Sequence, residues 1–174
     1  MSEGLSYVVV GVVDGQPPAV VEQAAVFARH FGAQLICAGV DATRYVVETR
    51  ADGTVTTLPL DPDVAEEREE FFDEQLLQQV AAIMGDHAEV PWTARALAGD
   101  PADALAELAD EVDARMIVVG TREASFWGAM HEFLNGSVAA QLAHHQHRPV
   151  VVIPLNPVGH DSRPSPRDGG PAME

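Results

Sequence analysis

The residue types best suited to chemistry in this sequence fall between Gly120 and Ser137. Gly120-Thr121-Arg122 leaves an apolar run, and Asn135-Gly136-Ser137-Val138 enters a helix-like stretch. A helix start carries backbone N–H groups without internal partners and the positive end of the helix dipole, so both ends of this segment could face one anion. Arg122 is always charged and offers a planar fork suited to phosphate. Read as local structure alone, the same segment is a helix cap with Arg122 at the surface, and the two readings stand side by side.

Other candidates carry less. His144, His145 and His147 fall at the expected C-terminal end of a helix, where the dipole favours histidine, and no carboxylate or cysteine beside them completes a zinc set. No metal site is expected. His131-Glu132 has neither a serine elbow nor an activated cysteine with it, so no catalytic residue is expected. Cys37, the single cysteine, reads as a small core residue of a strand and excludes an internal disulfide, which fits a reducing compartment.

Charge narrows the classes further. The formal net charge is −17, and all ten basic residues are arginine. A P-loop and a Schiff-base enzyme both require lysine, and neither fits. No basic stripe supports nucleic-acid binding, and no apolar run is long enough to span a bilayer, so the expected location is the cytoplasm. The acidic cluster Glu66, Glu67, Glu69, Glu70, Asp73 and Glu74 reads as the solvated face of a helix.

The elements that must position these residues alternate between strand and helix. Tyr7 to Val13, Gln34 to Val40, Trp92 to Leu97, Met116 to Val119 and Pro149 to Pro154 read as five strands, nearly free of charge, as expected of a parallel sheet covered on both faces. Pro17 and Pro18 open a first helix with Val21, Ala24, Ala25, Ala28 and Phe31 on one face and Gly32 at its end. Arg44 to Thr49 and Thr54 to Leu58 flank Asp52-Gly53 as an inserted hairpin after the second strand. Asp61 and Pro62 are expected to open a long helix carrying Phe72, Leu76, Val80 and Ile83, closed by Gly85. Asp100 caps, and Pro101 starts, a helix with Ala102, Leu105, Leu108, Ala109 and Val112 inside. A last helix starts near Ser137. From Asn156 to Glu174 seven of nineteen residues are proline or glycine and no apolar period survives, which predicts a disordered tail after a domain spanning 1–155.

Parallel sheets present ligands at strand ends, here Asp14-Gly15, Val40-Asp41, Gly99-Asp100 and Gly120 onward. At these turns the sequence resembles the universal stress protein family. Val12-Val13-Asp14-Gly15 is similar to that family's Val-Asp-Gly-Ser turn, and Gly99-Asp100-Pro101 to its Gly-Asp-Pro turn. Gly120 through Gly136-Ser137-Val138, His144-His145 and Pro149-Val150 is similar to its most specific signature.

The resemblance implies a Rossmann-like α/β fold with five parallel strands in the order 3-2-1-4-5. It implies a stress-response protein binding ATP, with Mg, at the switch point between strands one and four. It also implies a homodimer formed through the fifth strand, Val150, Val151, Val152 and Ile153. Carried over residue by residue, the binding positions are Asp14, Gly120, Gly136 and Ser137, with Val40 as an adenine-side backbone contact. Arg122 adds its charge to that set, and catalysis is expected to be slow or absent. Glu123 stands where the nucleotide-binding pattern has its second glycine, and twelve residues rather than nine separate it from Gly136. A carboxylate about 4 Å from a phosphate costs about 4 kcal/mol at an effective dielectric of 20, so binding requires Glu123 to point away. The alternative is a dimeric interaction module that has lost the nucleotide.

Overall fold

The uncharged run Tyr7–Val12 forms β1, the central strand of a five-stranded parallel sheet. The computed structural model describes residues 5–51, 54–61, 63, 66–121 and 138–155. After β1 come α1 (Ala19–His30), β2 (Gln34–Asp41), β3 (Arg44–Thr49), β4 (Val55–Pro59), β5 (Arg68–Glu69) and α2 (Glu74–Gly85). They are followed by β6 (Trp92–Ala98), α3 (Pro101–Glu111), β7 (Met116–Gly120), α4 (Val138–His145) and β8 (Val150–Ile153). The large sheet runs β6-β2-β1-β7-β8, with every pairing parallel. Counted among its own strands this is the expected order 3-2-1-4-5, and the chain reverses direction across the sheet between β1 and β7.

Side-chain alternation along β1 and β2 divides the interior into two cores. Val8, Val10, Val12, Leu35 and Cys37 pack with Val20, Val21, Ala24, Ala28, Leu76 and Val80 from α1 and α2. Val9, Ile36 and Ala38 pack on the other side with Ala102, Leu105, Leu108 and Leu142 from α3 and α4. Both faces of each central strand are therefore covered, and that is why the strands read as unbroken apolar runs.

Helix ends follow local chemistry. Gly32, at φ +57°, ends α1 in a Schellman arrangement, with Ala33 N–H on the Ala28 carbonyl at 2.8 Å and Gly32 N–H on that of Arg29 at 3.1 Å. Asp100 caps α3 through Ala102 N at 2.9 Å and Asp103 N at 3.2 Å, with Pro101 in the first turn. In α1 the buried face includes Val20, whereas Phe31, placed on it by spacing, is 51% exposed because the chain has already left helical geometry there.

The second helix departs most from expectation. It starts at Glu74, where Asp73 caps it through Leu76 N at 2.8 Å, whereas Asp61 accepts the nearby N–H of Asp63 at 3.0 Å. Arg68 and Glu69 instead pair with β4 and turn the inserted hairpin into a three-stranded antiparallel sheet, β3-β4-β5. A buried ionic network explains the change. Arg44, 7% exposed, donates to Thr57 Oγ1 at 2.7 Å and to the Thr57 carbonyl at 3.0 Å, and Thr57 donates to Glu70 Oε2 at 3.1 Å. Buried charges persist only where they are paired, so Glu70 is held under the insertion, away from the solvated face expected of it. Asp52-Gly53 and the expected tail lie outside the described residues.

Candidate functional site

Three parallel strand ends open onto one cleft of about 340 Å³. Val12, Val13 and Asp14 enter it from the end of β1, Gly39, Val40 and Asp41 from β2, and Ala96 and Leu97 from β6. The remaining wall comes from the insertion and the start of α2, with Arg68, Glu70, Phe71, Phe72, Asp73 and Leu76. Gly39 has a steric reason to be glycine, because a Cβ there would lie 3.3 Å from Phe72 Cε2 and 3.6 Å from Leu76 Cδ2. The missing Cβ lets Phe72 and Leu76 close onto the end of β2, and the cleft they help to wall is of a size that suits a small ligand. Gly15, at φ +68°, lets the chain turn sharply after Asp14.

The polar groups of the cleft are fixed by neighbours. Asp14 accepts from Gln79 Nε2 on α2 at 2.8 Å. Asp41 Oδ1 accepts from Thr43 N at 2.8 Å and Thr43 Oγ1 at 2.6 Å, which leaves Oδ2 facing Arg68 Nη2 at 3.1 Å. The same Arg68 nitrogen lies 3.4 Å from Glu70 Oε1. Among the described residues lining the cleft, Arg68 is the one cation against the carboxylates Asp14, Asp41, Glu70 and Asp73.

Asp14 and Val40 thus line one cleft. Gly120 ends β7 beyond the switch point and is packed from outside the cleft, where a Cβ would lie 3.0 Å from Val20 Cγ2, 3.1 Å from Gln16 Nε2 and 3.3 Å from Leu155 Cδ1. Arg122, Glu123, Gly136 and Ser137 lie outside the described residues. Arg68 and Phe71 are cleft residues that sequence reading missed, and Asp41, placed by the sequence at a ligand-facing strand end, was given no contact of its own. Asp41 follows Val40 directly, and Arg68 is a single cation inside an acidic run, a signal hidden by assigning that run to a helix surface.

Cys37 is fully buried, and burial pushes its thiol up to about 12, out of reach as a nucleophile. His144 and His145 fall in the last turn of α4, where His145 Nδ1 lies 3.6 Å from Asp103 Oδ1. Among the described residues no three His, Cys, Asp or Glu side chains converge to hold a metal ion.

The family model described as the Universal stress protein family matches residues 7–154. Among solved structures, a universal stress protein in complex with cAMP aligns with a TM-score of 0.58 at 26% identity, covering 88% of this chain and 100% of that one. The universal stress protein from Archaeoglobus fulgidus in complex with dAMP aligns at 0.56 and 21% identity, covering 86% of this chain and 98% of the other. A family protein from Arabidopsis thaliana with AMP bound aligns at 0.53 and 18% identity, covering 92% and 96%. The last two likenesses speak to the fold alone. No curated protein matches the sequence.

Proposed function

Because the chain belongs to the universal stress protein family, we propose that it is a stress-response regulatory protein whose strand-end cleft binds an adenine nucleotide. The observation that carries this reading is the convergence of Asp14, Val40 and the bare Gly39 backbone on one cleft of about 340 Å³ at the strand ends. The apolar wall that Val40, Phe72 and Leu97 give this cleft suits a flat base, and the relative at 26% identity was solved with cAMP. In this reading Asp14 and Val40 hold the nucleoside. Gly120, Arg122, Gly136 and Ser137 receive the phosphates, and ATP with Mg is the form that the family motifs favour.

The role is binding rather than turnover. Asp14 is engaged by Gln79, Asp41 by Thr43 and Arg68, and Asp73 by Leu76 N–H, so the carboxylates of the cleft serve its geometry. The working form is a cytoplasmic homodimer paired through β8, whose Val152 is 43% exposed at the sheet edge. Residues 1–155 act as one domain, with 156–174 as its tail. No helix among the described residues is long and apolar enough to cross a membrane.

A second reading, an interaction module without nucleotide, draws on Glu123 and on the four carboxylates facing one cation in the cleft. Thermal unfolding with and without Mg-ATP, AMP and cAMP separates the two. A ligand at one hundred times its dissociation constant adds about 2.7 kcal/mol of stability and raises the midpoint by several degrees. No rise with any of the three at millimolar concentration would leave the interaction module as the better account.

A further inference from the structure

The insertion between β2 and α2 does more than decorate the sheet edge, because it delivers Arg68 and Phe71 to the cleft. Arg68 is held in place by backbone pairing of β5 with β4, where Thr57 stands opposite it, and by its contacts with Asp41 and Glu70. Its side chain is nevertheless half exposed. A guanidinium carries five N–H donors, and the contacts to Asp41 and Glu70 both use Nη2, which leaves donors free to face a ligand. Asp41 is fixed through Oδ1 by Thr43, so Oδ2 keeps acceptor capacity beside Arg68. Asp41 Oδ2 therefore stands 3.1 Å from Arg68 Nη2 at the end of β2, one residue beyond Val40, with Nε and Nη1 of the same planar group as the donors left for a ligand. Phe71, 73% exposed, lines the same cleft without burying its ring against the protein.

Adenine presents the complementary pattern. Its exocyclic amine donates, and the neighbouring ring nitrogen accepts, the same edge that a side-chain amide reads in nucleic acids. Resting on the adenine-nucleotide reading above, we propose that the Asp41–Arg68 pair determines base specificity, Asp41 accepting from the amine, Arg68 donating to the ring nitrogen and Phe71 covering the ring. Hypoxanthine, which replaces the amine with a carbonyl oxygen, would set that oxygen against the Asp41 carboxylate.

The test is calorimetric titration of the full chain with AMP and with IMP, with circular dichroism and unfolding midpoints as controls for folding. The wild-type protein is expected to prefer AMP by about tenfold or more, the scale of one well-paired base edge. Arg68→Ala should weaken AMP binding by about tenfold. Asp41→Asn keeps an acceptor for Thr43 and turns an amide donor toward the base, so it should collapse or reverse the preference for AMP over IMP. Phe71→Ala should weaken both nucleotides alike, since stacking does not distinguish them. Folded variants that bind AMP as the wild type does, or an Asp41→Asn protein with an unchanged AMP-to-IMP ratio, would overturn base reading by this pair while leaving nucleotide binding intact. A wild-type protein that binds neither nucleotide would overturn the underlying function, and this inference with it.

Discussion

Cys37 shows how a residue's surroundings decide its chemistry. The thiol lies in the core between β1, α1 and α2, and desolvation raises it from an ordinary value of 9.0 to about 12. The unfolded chain therefore loses this proton first as pH rises, so the stabilising difference is complete below pH 9 and disappears as pH climbs toward the folded value. Urea unfolding should show wild-type stability falling above pH 9 by up to about 1.4 kcal/mol per pH unit more than that of Cys37→Ala. Equal slopes would mean the thiol is not desolvated. At this scale the burial of Cys37 and the positions of Asp14 and Val40 at strand ends were legible, because short apolar runs fix what is buried and where a strand ends. Arg68 was not, because its role depends on a partner, Asp41, that is 27 residues away in sequence.

Elements with local causes were the most legible. Asp100 and Pro101 announce α3, and Gly32 announces the end of α1, because capping needs only neighbours within a turn. Asp100→Ala should cost about 1 kcal/mol by leaving the N–H groups of Ala102 and Asp103 without their acceptor, read as a lower urea midpoint with unchanged slope. The start of α2 was illegible for the opposite reason. Glu70 belongs by local propensity to a helix surface, yet its carboxylate is 7% exposed and satisfied by Thr57 and Arg44, which arrive from β4 and β3. Glu70→Ala should cost about 3 kcal/mol because it strands the buried Arg44 charge. Hydrogen exchange should then rise through β3, β4 and β5 while β1 and β7 remain protected. Uniform deprotection of the whole chain would show instead that the insertion and the large sheet unfold together.

At the scale of the molecule, the sheet order was legible from the resemblance and the alternation of strands and helices. The surroundings of the cleft were not, because they depend on how a second, antiparallel sheet meets the first. Assembly raises a competition between two effects. β8 leaves an apolar edge at one end of the sheet, with Val152 partly exposed, and pairing with a second copy would satisfy that edge. Each copy carries a formal charge of −17, so two copies bring −34 together and oppose association. Apolar edge pairing acts over contact distances, whereas repulsion between exposed charges is screened beyond about 8 Å at physiological ionic strength. The pairing should therefore win there and weaken as salt is removed. Light scattering on the eluting protein should report a dimer at about 0.15 M salt, with dissociation at about 0.01 M, where repulsion extends to about 30 Å before it is screened. Val152→Glu should yield a folded monomer at both, since it places two carboxylates near the two-fold axis. A Val152→Glu protein that remains dimeric would move the interface away from β8 and leave that edge to another partner.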